Sequence, residues 1–238
     1  MNDARRTRVL LTRSAEDNAD WARELRARGY EAVECASLVE QRLDTGPALA
    51  RELEHADWIA FTSRRAVDAS HDLAPRLPDR VRVAAVGPAT EERVRERFGR
   101  CDSVSRAGNA ADLGTELVRL GARHVVVAAA RGGLFDVERA LTAAGRTAAR
   151  VELYEMTPTA EPLPPAALDV DAAFFASPSA VQALSSRGTL PATCVVVSIG
   201  PTTSAALRAA GLSVHAESRT RDLDGMITAL SSLTTSER

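Results

Sequence analysis

Phe61-Thr62-Ser63-Arg64-Arg65-Ala66-Val67 returns as Phe175-Ala176-Ser177-Pro178-Ser179-Ala180-Val181, 114 residues further on. The echo continues with Val86-Gly87-Pro88-Ala89-Thr90 and Ile199-Gly200-Pro201-Thr202-Thr203, now 113 residues apart. Solenoid units repeat every 20–50 residues or so. A period this long is domain-sized and predicts two similar domains. In each copy an apolar run enters a corner rich in Ser, Thr and Gly, and a helical pattern leaves it.

Working outward, apolar runs recur at 8–12, 31–35, 57–62, 81–86, 102–105, 124–129, 148–153, 170–175, 194–199 and 213–216. Helical patterns separate nearly all of them. Val125-Val126-Val127 and Val195-Val196-Val197 are continuous rather than alternating, as in strands covered on both faces. Strand–helix alternation predicts βαβ units, and the ten runs suit two doubly wound, five-stranded parallel sheets flanked by helices. Gly29, Gly99, Gly121, Gly145 and Gly211 each stand between a helical pattern and a strand, the usual C′ position. Residues 36–46 and 154–166 read as paired extended linkers, the second holding four prolines. Residues 233–238 are expected to fray.

The 238 residues carry a net charge of −2, with 45% hydrophobic and 26% charged residues. These are globular values that point to no nucleic acid and no anionic membrane. No apolar run approaches transmembrane length, and a cytoplasmic location is expected. All 30 basic residues are arginine. A Schiff-base lysine and a Walker-type phosphate lysine are therefore excluded. Cys35, Cys101 and Cys194 are isolated, and His55, His71, His124 and His215 lack metal-ligand spacing, so no metal site is expected.

In parallel α/β sheets, ligands meet the carboxyl ends of strands, where helix N-termini present free N–H groups. Four corners have that composition: Thr62-Ser63, Gly87 to Thr90, Ser177 to Ser179, and Gly200 to Thr203. Two further strand ends carry arginine, at Thr12-Arg13 and Arg131-Gly132, again in matching repeat positions. Arg13, Arg64 and Arg131 can form bidentate pairs with carboxylates. Together these predict a ligand with several carboxylates or phosphates, gripped by both domains. Tyr154 is the best ionisable candidate for a general acid or hydrogen-bond donor. A linker tyrosine packed on a domain edge is the equal alternative.

Six motifs in order carry a family resemblance over essentially the whole chain: Thr12-Arg13, residues 61–67, residues 86–90, Val151-x-x-Tyr154, residues 175–181 and residues 199–203. They resemble the uroporphyrinogen-III synthase family. The resemblance implies two flavodoxin-like domains joined by a two-stranded linker. One would combine residues 1–35 and 160–238, the other would span 42–150, and 36–41 and 151–159 would link them. It also implies a lyase without cofactor that closes linear hydroxymethylbilane to uroporphyrinogen III, losing water and inverting the last pyrrole ring, in porphyrin and heme biosynthesis. Tyr154 would assist departure of the hydroxyl. Thr90 and Thr203, with the N–H groups around Ser63, Gly87, Ser177 and Gly200, would hold carboxylates. Thr12, Arg13, Thr62, Arg64, Arg131, Gly132, Ser179 and Thr202 would complete the substrate-binding set. A monomer is expected, with the preceding pathway enzyme as a candidate contact.

Departures from the family pattern are few. Ser14 stands where proline is common, Arg65 where a small or amide residue is common, and Ala176 where the first copy has threonine. A non-catalytic bilobed binder of an anionic metabolite is the alternative from another class. Tyr154 with both Gly-x-x-Thr corners intact favours the enzyme.

Overall fold

The computed structural model describes residues 5–235. In chain order the elements are β1 Arg8–Leu11, α1 Ala15–Ala27, β2 Glu31–Glu34, β3 Leu38–Arg42, α2 Gly46–His55, β4 Trp58–Phe61, α3 Arg64–Leu73, β5 Arg82–Ala85 and α4 Pro88–Phe98. There follow β6 Ser103–Val104, α5 Ala110–Arg119, β7 His124–Ala130, α6 Asp136–Ala143 and β8 Thr147–Pro158. After a 3-10 turn at Pro165–Leu168 come β9 Ala172–Phe175, α7 Pro178–Ser185, β10 Val195–Ser198, α8 Pro201–Ala209, β11 Ala216–Glu217 and α9 Leu223–Thr235. Of the frayed end expected over 233–238, residues 233–235 continue α9 and residues 236–238 lie outside the described residues.

The chain divides into two compact units, residues 1–40 with 157–238 and residues 41–156. In the first, the sheet order is β11-β10-β9-β1-β2, and every pairing is parallel. Successive strand residues point to opposite faces, so each strand feeds two cores. Val9, Leu11, Phe174 and Val197 pack with Ala22 and Leu25 of α1 and Met226 and Leu230 of α9. Leu10, Phe175 and Val196 pack on the other face with Val181 and Leu184 of α7 and Leu207 of α8. Burial on both faces explains why the sequence runs are continuous rather than alternating.

The second unit repeats the arrangement with the order β3-β8-β7-β4-β5-β6. Ile59, Phe61, Val83 and Val126 meet α2, α3 and α4 on one face. Trp58, Ala60, Val125 and Val127 meet α5 and α6 on the other. This sheet has six strands rather than the expected five, because the first linker segment contains β3. Leu43 N–H donates to the Leu153 carbonyl at 3.0 Å, and Thr159 N–H donates to Ser37 at 3.1 Å. Residue numbers thus rise on one partner as they fall on the other, so β3 runs antiparallel to β8. The polar pattern LVEQR and its exposure, with no residue fully buried, hid it as a strand.

Matching strands by their motifs, β9 corresponds to β4, β10 to β5, β11 to β6, β1 to β7 and β2 to β8. In space the two five-stranded parallel cores have the same order. In sequence they start at different strands, so one is a circular permutation of the other.

Helices α5 and α6 pack together at Gly114. A Cβ built on Gly114 would lie 2.6 Å from the Ala140 Cβ and 3.0 Å from the Val137 carbonyl oxygen. Gly114→Ala should therefore destabilise the protein by about 1–3 kcal/mol, as overpacking does, although alanine is the better helix former. A urea denaturation midpoint equal to that of the parent would contradict this account.

Candidate functional site

Each unit carries its functional groups where two central strands end and the connections depart in opposite directions, β9 and β1 in one, β4 and β7 in the other. Such a switch point opens a crevice beyond the strand ends. In each unit a threonine hydroxyl bridges the two strands there. Thr12 Oγ1 donates to the Phe174 carbonyl at 2.8 Å, and Thr62 Oγ1 donates to the Ala128 carbonyl at 3.1 Å. Thr12 is fully buried. Its hydroxyl, expected to contact substrate, ties the two strands together.

In the first unit, α7 and α8 begin side by side. Ser177 Oγ accepts from the Ala180 N–H at 3.2 Å and caps α7, with Pro178 at its first position. Gly200 takes the capping position of α8, followed by Pro201. The two N-termini open into a depression of about 300 Å³ lined by Ala176, Ser177, Gly200, Thr202, Thr203 and Arg221 among others. Each helix end carries roughly half a positive charge. Ser179 is exposed on α7 outside that lining. Arg13 lies 4.4 Å from the Trp21 ring centroid and 3.7 Å from Asp17. With Arg221 it lines an adjoining depression of about 270 Å³.

In the second unit, Ser63 Oγ accepts from Ala66 N–H at 3.1 Å and caps α3, whose first residue is the partly buried Arg64. The same oxygen lies 2.9 Å from the Tyr154 hydroxyl. Tyr154 was expected at the start of the second linker, facing a cleft or packed on a domain edge; it lies within β8, 5% exposed, in the core with Phe61, Val67 and Leu153. A β-bulge explains its position. Ala129 pairs with Glu152 but Ala130 pairs with Tyr154, so β8 carries one extra residue there. A bulge re-aims the side chains that follow it, and Leu153 and Tyr154 consequently share one core. Gly87 precedes α4, and a Cβ built on it would meet the Gly108 Cα at 3.6 Å.

Thr90 and Thr203 are 5% and 2% exposed. Their hydroxyls are withdrawn from solvent, whereas Thr202 in the second of these corners is exposed. Arg131 is engaged by two carboxylates, Glu152 at 3.3 Å and Glu155 at 3.1 Å. A free-standing carboxylate grip there, expected from sequence, is thus already answered within the protein. Gly132 follows with φ 71°, in the left-handed region that favours glycine. Burial pushes the Cys101 thiol up to about 11 and the Cys194 thiol up to about 12. Neither is a thiolate at neutral pH, so neither is poised as a nucleophile. Among the described residues no group of three or more His, Cys, Asp or Glu is placed to hold a metal. No helix among them is long and apolar enough to cross a membrane.

Arg221 lines the first of these depressions and was not singled out from sequence, although a signal for it existed. Ser105-Arg106-Ala107-Gly108-Asn109 recurs as Ser218-Arg219-Thr220-Arg221-Asp222, at the same 113-residue spacing as the Gly-Pro corners. Ser105 N–H donates to Ala85 at 3.0 Å, and Ser218 N–H donates to Ser198 at 2.8 Å, so the two loops leave their sheets alike. Only Ser and Arg match by identity, too little to register as a repeat.

Fold and site together define a class: two permuted copies of a parallel α/β unit with helix N-termini gathered at the strand ends. The family model for uroporphyrinogen-III synthase HemD matches residues 19–228. The chain belongs to the uroporphyrinogen-III synthase family, a family of enzymes of porphyrin biosynthesis. Uroporphyrinogen-III synthetase from Helicobacter pylori has a similar structure, with TM-score 0.61 and 16% identity over 96% of this chain and 100% of that one. A mutant uroporphyrinogen III synthase from the extremely thermophilic bacterium Thermus thermophilus gives TM-score 0.53 and 16% identity over 97% and 99% of the two chains. At such identities these likenesses speak to the fold. No curated protein sequence matches the chain.

Replacing Ser177 by alanine removes the α7 cap and should lower stability by about 1 kcal/mol. An unchanged chemical-denaturation midpoint would show that the cap contributes nothing.

Proposed function

We propose that this enzyme closes linear hydroxymethylbilane to uroporphyrinogen III, as a lyase without cofactor, losing water and inverting the last pyrrole ring. The observation that carries the reading is the family match over residues 19–228, joined to the hydrogen bond between Ser63 and Tyr154 at the start of α3. The bilane bears carboxylates on every ring, and dispersed helix N-termini suit such a ligand better than one concentrated charge would. We read the two units as flavodoxin-like domains linked through β3 and β8. The first has the flavodoxin order 2-1-3-4-5 when its own strands are counted, and the second has that order entered at another strand.

Tyr154 is the residue assigned to the departing hydroxyl. A serine oxygen can accept from Ala66 and still donate to a neighbour. When Ser63 donates to Tyr154, the phenol proton is not taken up by Ser63 and can assist the leaving group. The remaining task is geometric, because the bilane must close on one carbon of the last ring rather than another. A hundredfold preference requires only about 2.7 kcal/mol of differential barrier, which positioning can supply. The three free cysteines accord with a reducing, cytoplasmic setting, and the reading includes a monomer. No observation favours the non-catalytic anion binder.

Freshly prepared hydroxymethylbilane should yield mainly the type III porphyrin after oxidation and separation. Type I alone would overturn the reading. Tyr154→Phe should reduce turnover at least about tenfold, since acid assistance is commonly worth about a hundredfold or more. Its denaturation midpoint and its KM should change little. Turnover close to that of the parent would remove Tyr154 from the chemistry.

A further inference from the structure

We infer that Arg221 holds one substrate carboxylate in the depression between the starts of α7 and α8, and so adds a charged anchor to that corner. The inference rests on the proposed activity. It begins from charge. None of the residues lining this depression is acidic, and Arg221 is its one ionised side chain. The larger depression of about 750 Å³ beside β11 and α9 is lined by three carboxylates, Glu217, Asp222 and Asp224, against one arginine, Arg219, a balance less suited to a polycarboxylate. Arg221 is also distinct from the other arginines near these strand ends. Arg131 is paired with Glu152 and Glu155, and Arg13 lies by Asp17 and Trp21. Among the described residues Arg221 makes no ion pair.

Its acidic neighbours are engaged elsewhere. Asp222 accepts from Gly225 N–H and from Thr220 Oγ1, each at 2.8 Å. Asp224 pairs with Arg28. The loop that carries Arg221 is moreover built to a tight tolerance. Ser218 N–H is fixed to the end of β10, and the Ser218 hydroxyl donates to the Thr220 carbonyl. A Cβ on Gly225 would fall 2.1 Å from Thr220 Oγ1 and 2.3 Å from Ser218 Oγ. Glycine lets α9 start close beneath this turn, so the backbone that carries the exposed Arg221 is held at the rim of the depression.

The other unit supplies an internal comparison. Gly108 occupies the position of Arg221 in the repeated loop, with φ 67°. There its Cα stands close to Gly87, whereas a Cβ on Gly200 would meet nothing within 4 Å. The first unit thus leaves room over its corner and has an arginine at its rim. A volume of about 300 Å³ suits one carboxylate arm rather than a whole tetrapyrrole.

The test compares Arg221→Gln, Arg221→Lys and, as a control on the same loop, Arg219→Ala. Arg221→Gln should raise KM for hydroxymethylbilane about tenfold, the scale of one charge-assisted hydrogen bond, with kcat within about twofold. Lysine should restore part of the loss, and Arg219→Ala should match the parent. Titration with uroporphyrin, read by tryptophan fluorescence, should show the same roughly tenfold weakening for Arg221→Gln whether or not the parent turns substrate over. If the parent makes type III product while Arg221→Gln binds and turns over normally, this inference fails and the activity stands. If the parent makes only type I product while Arg221→Gln still weakens uroporphyrin binding, the activity fails and the anion anchor stands.

Discussion

The hydrogen bond that a threonine hydroxyl makes across the strand ends is the constraint on which each corner depends. At a switch point the two central strands send their chains to opposite faces, and the ladder between them runs out just where a ligand must be held. Thr12 meets the Phe174 carbonyl in one unit and Thr62 meets the Ala128 carbonyl in the other. Such a bond contributes about 0.5–1.5 kcal/mol net; the Ala128 carbonyl also accepts from the Thr62 backbone N–H at 3.4 Å, so there the hydroxyl adds a second tie that keeps the strand ends from parting. The donor sits on β1 in one unit and on β4 in the other, which are not equivalent strands. The two copies have therefore reached one solution from opposite sides of the same crevice.

Helix N-termini are then aimed by local chemistry. Ser63 and Ser177 cap α3 and α7, while Gly87 and Gly200 precede α4 and α8. Backbone donors held this way need no reorganisation to meet a carboxylate. They also lack the flexibility of long side chains. A substrate with many rotatable bonds is thus met by a surface that has few, which suits a reaction whose outcome is decided by shape. The buried phenol of Tyr154, held against the cap of α3, follows the same principle.

Much of this was legible from residues alone. Hydrophobic runs flanked by glycine at helix ends gave the strands of both parallel cores, and Gly29 and Gly145 have the left-handed φ angles, 86° and 69°, that their positions imply. The corners were readable because serine, proline and glycine have local roles that need no tertiary context. What escaped reading depended on pairing across the chain. β3 is polar and forms only against β8. Tyr154 is carried into the core by a bulge that no composition announces. Thr12 was assigned to ligand because a buried strand tie and an exposed donor use the same residue type. Arg221 stands where its repeat partner is Gly108, so the repeat concealed the residue that breaks it.

The permuted order of the strands bears on how the molecule is made. β1 needs β9 as a neighbour, and β9 starts at residue 172. As the chain leaves the ribosome, β1 and β2 emerge first with only each other to pair, while residues 41–156 form a contiguous unit that can fold without them. Pairing across so great a sequence separation is slow to close. Until residues 172–175 are made, β1 therefore lacks the strand that joins it to the rest of its sheet. Arg8, Glu31 and Glu34 put charges on the ends of β1 and β2, and charges on a strand with an open edge discourage its pairing with another chain.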